Sequence, residues 1–186
     1  MSDSSETQAF AFEGARRIAT GPLTKVALKV KRVVERGARG AVLVFDAESS
    51  ERIDIDVRGT DADLLRRLEP RHRSPGRPKL GVIAREVTLL PRHWDWLHDQ
   101  PGGASVTLRR LVDLARHASV DSDRVRKAKE SAYRFIFAMA GDRVGFEEAS
   151  RALFAGDRAR FSRLVDRWPA NIREQAKGLM QRVSDE

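Results

Sequence analysis

The chain has no cysteine. That excludes a disulfide framework and a thiolate-ligated metal centre, and it predicts a reducing compartment, the cytoplasm. Nowhere does an uninterrupted apolar run approach the roughly 18–20 residues of a membrane span. The first six residues are polar and acidic where a signal peptide needs a basic end and an apolar core, so the chain is expected to be neither exported nor embedded. The Gly-Lys-Ser/Thr ending of a phosphate loop is missing, as is a dinucleotide fingerprint. Gly102-Gly103-Ala104-Ser105 lacks the strand-to-helix context and partner base of a nucleophile elbow. His93 and His98 stand five apart, not the four that would put two ligands on one helical face. No catalytic residue, metal site or cofactor is therefore expected, and the chain is read as a non-enzyme.

What is present is an ordinary folding composition, 41% hydrophobic and 33% charged over 186 residues. That length holds one core of usual size or two small ones. The formal charge is +8, which attracts polyanions. It is spread unevenly, because residues 69–120 hold nine basic and five acidic side chains together with all four histidines.

Along the chain, Phe10 and Phe12 alternate as in a strand, and Gly14 turns it into a second strand ending at Gly21. Pro22 then opens a helix whose apolar stripe is Leu23, Val26, Ala27, Val30, Val33 and Val34, with Lys25, Lys29, Lys31, Arg32 and Arg36 on the opposite face. Residues 41–45 and 52–57 read as a hairpin, and Thr60 or Asp61 caps a short helix. Residues 8–68 thus form an α+β module. A basic Pro/Gly linker follows at 69–81. Beyond it come a strand over 81–90, a helix over 91–100, a turn at 101–103 and a helix over 106–117. Residues 121–184 are helical, with Asp121 or Asp123 capping the first and longest helix. The fold class is α+β.

Two groupings carry candidate chemistry. Asp54 and Asp56 share a face of the expected strand and could bind a cation or act as an acid/base pair, although such a pair is far more often the solvated face of a hairpin. Trp94 and Trp96, two apart on a helix, cannot share one face, so one is expected in the core and the other against the C-terminal helices or a second subunit, a reading preferred to base stacking.

The stretch from Val87 to Leu97, followed by Gly102-Gly103-Ala104-Ser105 and Leu108 to Arg116, resembles the ribbon-helix-helix family of dimeric DNA-binding proteins. That resemblance implies a homodimer whose paired strands enter the major groove and whose helix starts grip phosphates. Carried onto this sequence, Gly103, Ala104 and Ser105 match the phosphate-binding turn. Ala84, Glu86 and Thr88 would face the groove, and only Thr88 is a typical base reader. The alternative is a plain strand-helix-helix piece of a monomer core. Just upstream, Arg71-His-Arg-Ser-Pro-Gly-Arg-Pro-Lys79 is similar to an AT-hook with Pro75 in place of the first central arginine, and Arg77 could lie in a narrow minor groove. A basic linker kept soluble by its charge reads equally well. The DNA-binding set is then Arg77, Lys79, Arg85, Thr88, Arg92, Gly103, Ala104 and Ser105.

Ala41-Val-Leu-Val-Phe-Asp46 with Arg58-Gly-Thr60, the run from Gly76 to Trp94, Ala132-Tyr-Arg-Phe135 and Ala149 to Asp157 together resemble the bacterial domain-of-unknown-function family 2239 along nearly the whole chain. The resemblance implies one architecture and brings no activity. The functional expectation is a DNA-binding protein of regulatory or nucleoid-associated type, acting as a dimer. Its alternative is a non-enzymatic interaction protein that uses the same segment only to dimerise, and a weaker third is a small hydrolase or ligand sensor on the N-terminal module.

Overall fold

The computed structural model describes residues 6–69, 83 and 85–184. The expected linker, the AT-hook-like stretch and Ala84 lie outside them. The fold is α+β, with three strands and eight helices among the described residues. The chain divides into two compact units: Met1–Glu69 together with Asp123–Glu186, and Pro70–Ser122.

In the larger unit, β1 (Gln8–Glu13) is the middle strand of an antiparallel sheet ordered β2-β1-β3. β2 is Arg16–Pro22 and β3 is Val42–Asp46. β1 is buried on both faces, and its alternation decides what each face holds. Phe10 and Phe12 point into the larger core, while Ala9 and Ala11 belong to a second cluster with Val26, Val30 and Val44. The small residues on that second face allow helix α1 (Leu23–Glu35) to pack closely over the sheet. The phenylalanines instead meet the C-terminal helices, α5 (Val120–Ala140), α6 (Phe146–Ala155), α7 (Arg158–Val165) and α8 (Ala170–Ser184). Phe45 of β3 stacks on Phe10 at 5.3 Å between ring centroids, directly opposite it in the register.

Several local expectations change. Lys31, placed on the solvent face of α1, is buried because its ammonium donates to Asp61 at 2.9 Å and pairs with Glu35 at 3.3 Å. That pairing holds its pKa above the ordinary lysine value, chiefly through the bond to Asp61. Val34, placed in the stripe, is exposed. The hairpin of 41–45 with 52–57 shrinks to one bridge, Phe45 with Arg52. β3 pairs with β1 instead, while Ile53, Ile55 and Val57 pack as half-buried side chains on the second cluster. Asp56, one of the paired carboxylates, is taken up by Arg58 in a two-point contact at 2.9 Å each, which holds it well below the usual carboxylate range.

The loop after β3 is tied down by side chains. The Asp46 carboxylate accepts from the N–H groups of Glu48 and Ser49. Ser50, buried and left-handed at φ 54°, shares a hydrogen bond with Ser131 of α5 at 2.9 Å, and Ser131 donates to the Glu48 carbonyl. Helix α2 (Asp61–Leu68) begins with a reciprocal cap between Thr60 and Asp63, which satisfies two otherwise orphaned donors. The first long C-terminal helix starts at Val120, so Asp121 and Asp123 lie in its first turn and are not its cap.

Candidate nucleic-acid interface

The smaller unit contains α3 (Pro91–His98) and α4 (Gly103–Ala118), which pack on each other. Pro91 suits the first helical position because its missing N–H would have no partner there, and the Leu90 carbonyl accepts from His93 and Trp94. The turn between the helices needs glycine. Gly102 has φ 85°, and a Cβ there would lie 3.2 Å from the Val106 side chain.

Residues 85–90, expected as part of a strand, form no ladder with any described residue. A strand exists only where a second backbone satisfies its donors and acceptors, and this chain offers this stretch none among the described residues. α4 begins three residues before its expected start. Gly103, Ala104 and Ser105 are therefore its first turn and not a separate loop, and no side chain caps it.

The sequence-predicted residues fall as follows. Arg85 and Thr88 are exposed on the extended stretch, Arg92 is exposed in the first turn of α3, Ala104 is half-buried and Ser105 is exposed. Neither Arg85 nor Arg92 has an ion-pair partner among the described residues. Arg77 and Lys79 lie outside the described residues, as do Arg71 and Arg73. Those four supply the positive excess of this unit, since its described part carries five arginines against five acids.

Apolar exposure sets this unit apart. Only Leu97 and Thr107 are buried among its described residues, while Val87, Leu90, Trp94, Trp96, Val106, Leu111, Val112 and Leu114 are exposed. Neither tryptophan enters a core: Trp94 is 39% and Trp96 49% exposed. An eight-residue helix and a sixteen-residue helix span about 12 and 24 Å. Leu111 and Leu114 follow the buried Thr107 at i+4 and i+7, on the same face, yet both are exposed.

Sequence reasoning missed a cavity of about 640 Å³ in the larger unit, where Arg16, Arg36 and Arg39 surround Glu13. The signal was the run Arg36-Gly37-Ala38-Arg39-Gly40, a cationic glycine turn after a helix. The Glu13 carboxylate accepts from the Arg39 N–H at 2.9 Å and pairs with Arg16. These contacts, the backbone donor first, hold its pKa below the ordinary value. Among the described residues no cluster of three or more acidic or histidine side chains could hold a metal ion, and no helix is long and apolar enough to cross a membrane.

No curated protein and no solved structure matches the chain. Residues 8–180 match the model of a family described as an uncharacterized protein conserved in bacteria, DUF2239. A match over nearly the whole length, spanning both units, makes this chain a member of that bacterial family.

Proposed function

We propose that the protein is a non-enzymatic DNA-binding dimer in which residues 85–118 of one copy pair with the same residues of another. One observation carries the reading: an extended stretch without a ladder partner among the described residues leads into two helices that leave most of their large apolar side chains, Leu97 apart, in water. A second copy would supply both the missing strand and the missing cover. Dimerisation would then double the number of basic side chains, with Arg71, Arg73, Arg77 and Lys79 preceding Arg85 and Arg92 in sequence, and would double the uncapped start of α4 at Gly103, Ala104 and Ser105. Phosphate contacts dominate such a surface, and base reading is sparse because Thr88 is the one hydroxyl on the expected groove face. Arg77 would favour A·T-rich duplexes through the shape of their minor groove.

Light scattering should report a dimer. Gel shifts should show binding whose logarithm falls with log salt at a slope of roughly −0.9 per phosphate contact, made shallower by about one in Arg77→Ala or Lys79→Ala. A dimer that shifts neither A·T-rich nor G·C-rich duplexes at micromolar protein would instead favour the interaction-protein reading. That second reading has its own support in the larger unit, where Phe137 and Phe154 are exposed and ring-to-ring with Tyr133.

A further inference from the structure

We propose that the cavity at the β1–β2 turn binds a small polar molecule through a phosphate group. Three pieces of backbone meet there. Gly14 turns β1 into β2, α1 ends at Glu35 and Gly37 reverses the chain at φ 85°, and Gly40 leads toward β3. The Gly14 N–H donates to the Ala41 carbonyl at 2.8 Å, which fastens the first turn to the approach of β3. With glycine at all three places, part of the wall is bare backbone, and side chains added at Gly14 or Gly37 would meet only open space.

The charges around this space do not cancel. Arg16 is matched to Glu13, the one acid in the lining. Arg36 and Arg39 contribute two further guanidinium groups, and among the described residues neither has an ion-pair or side-chain hydrogen-bond partner. A net charge of +2 on one cavity suits a dianion, and guanidinium groups match phosphate oxygens in two-point hydrogen bonds. The Glu13 carboxylate is held by the Arg39 N–H and the Arg16 side chain and also feels the charge of Arg36, but three guanidinium groups outnumber its single negative charge. A volume of about 640 Å³ is that of a small-molecule site, for which about 300–1,000 Å³ is usual. It exceeds what inorganic phosphate alone would fill, and a wall of backbone and guanidinium selects a polar body. The ligand class is a phosphomonoester of a sugar or nucleoside.

Calorimetric titration of the whole protein at fixed ionic strength tests this with AMP, ribose 5-phosphate, inorganic phosphate and adenosine. A phosphomonoester should bind saturably at one site per chain, more tightly than inorganic phosphate, and adenosine should not bind. Arg36→Ala and Arg39→Ala should each weaken the phosphomonoester by about tenfold or more, the scale of a lost charge-assisted bond. Both side chains are exposed and, among the described residues, neither is in an ion pair, so the variants should melt like the parent. Lys29→Ala removes the same single charge from α1 outside the cavity and should leave the affinity unchanged. Absence of saturable binding up to millimolar ligand would overturn the proposal. So would equal weakening in the lysine variant, which would reduce the effect to general charge attraction, or inorganic phosphate binding as tightly as its esters.

Discussion

Phe135 lies where three strand phenylalanines converge, with ring centroids 5.7 Å from Phe10, 5.6 Å from Phe12 and 5.7 Å from Phe45. It is fully buried, so truncation removes both its transfer free energy and its neighbours' contacts. Phe135→Ala should destabilise the fold by about 3–5 kcal/mol, whereas Thr60→Ala, which removes only a helix cap, should cost about 1 kcal/mol. Urea unfolding of the two variants checks the ratio, and equal losses would mean that Phe135 sits in a site able to collapse around the gap. At this scale the sequence was readable where periodicity speaks. The alternation of Phe10 and Phe12 gave their common face, and the cap was legible as Thr60 or Asp61, of which the fold uses Thr60. Lys31 was not legible, because its burial depends on Asp61, thirty residues away, and helical spacing alone puts a lysine in water.

Helix α4 outlasts α3 by eight residues, and no described residue of the smaller unit buries the apolar side chains along the second half of α4. Leu111 is 40% and Leu114 61% exposed, on the face that nearer the turn is buried. If the dimer closes over that face, Leu111→Asp and Leu114→Asp should each weaken it by on the order of 2 kcal/mol or more, as at central interface positions. Sedimentation against concentration would then show monomer, with helix content retained. A dimer unaffected by either aspartate would place the interface elsewhere and remove the apolar support for the ribbon-like pairing. The helices themselves were visible in sequence from Pro91 and the Gly102-Gly103 pair. The strand was expected over 81–90, and its described stretch at 85–90 joins no ladder among the described residues; a strand is a property of two backbones, and the sequence of one names only half of it.

For the whole molecule, acid and alkali should each reveal paired charges. Glu13 and Asp63 are held below their ordinary values of 4.5 and 3.8, Glu13 first by the Arg39 N–H and Asp63 first by the Thr60 hydroxyl. Asp166, with the same ordinary value of 3.8, is lowered by Lys177. Carboxylates depressed in the folded state contribute stability that is complete above their unfolded values and is lost as pH falls through the folded ones. Lys31 runs the other way: raised above 10.5, its contribution is complete below that value and is lost as pH rises through the folded one. The melting temperature should therefore be level through neutrality and fall at both ends. Glu13→Gln should blunt the acid fall and Lys31→Gln the alkaline one. Unchanged limbs in these variants would show that the pairs do not couple to folding.

Local features follow from the order of residues: which segments have helical or strand periodicity, where glycine and proline turn the chain, the absence of thiol chemistry, and the concentration of positive charge between residues 69 and 120. These depend on near neighbours, and near neighbours are what a pattern records. Tertiary structure alone decided that β1 sits between two other strands with a different layer on each face, that Phe135 closes a core begun by Phe10 more than a hundred residues earlier, and that Arg16, Arg36 and Arg39 line one cavity. Each of these is a meeting of distant segments, driven by the common burial of apolar faces. Hydrophobic burial is non-directional, so an apolar stripe declares that it will be covered without declaring by what.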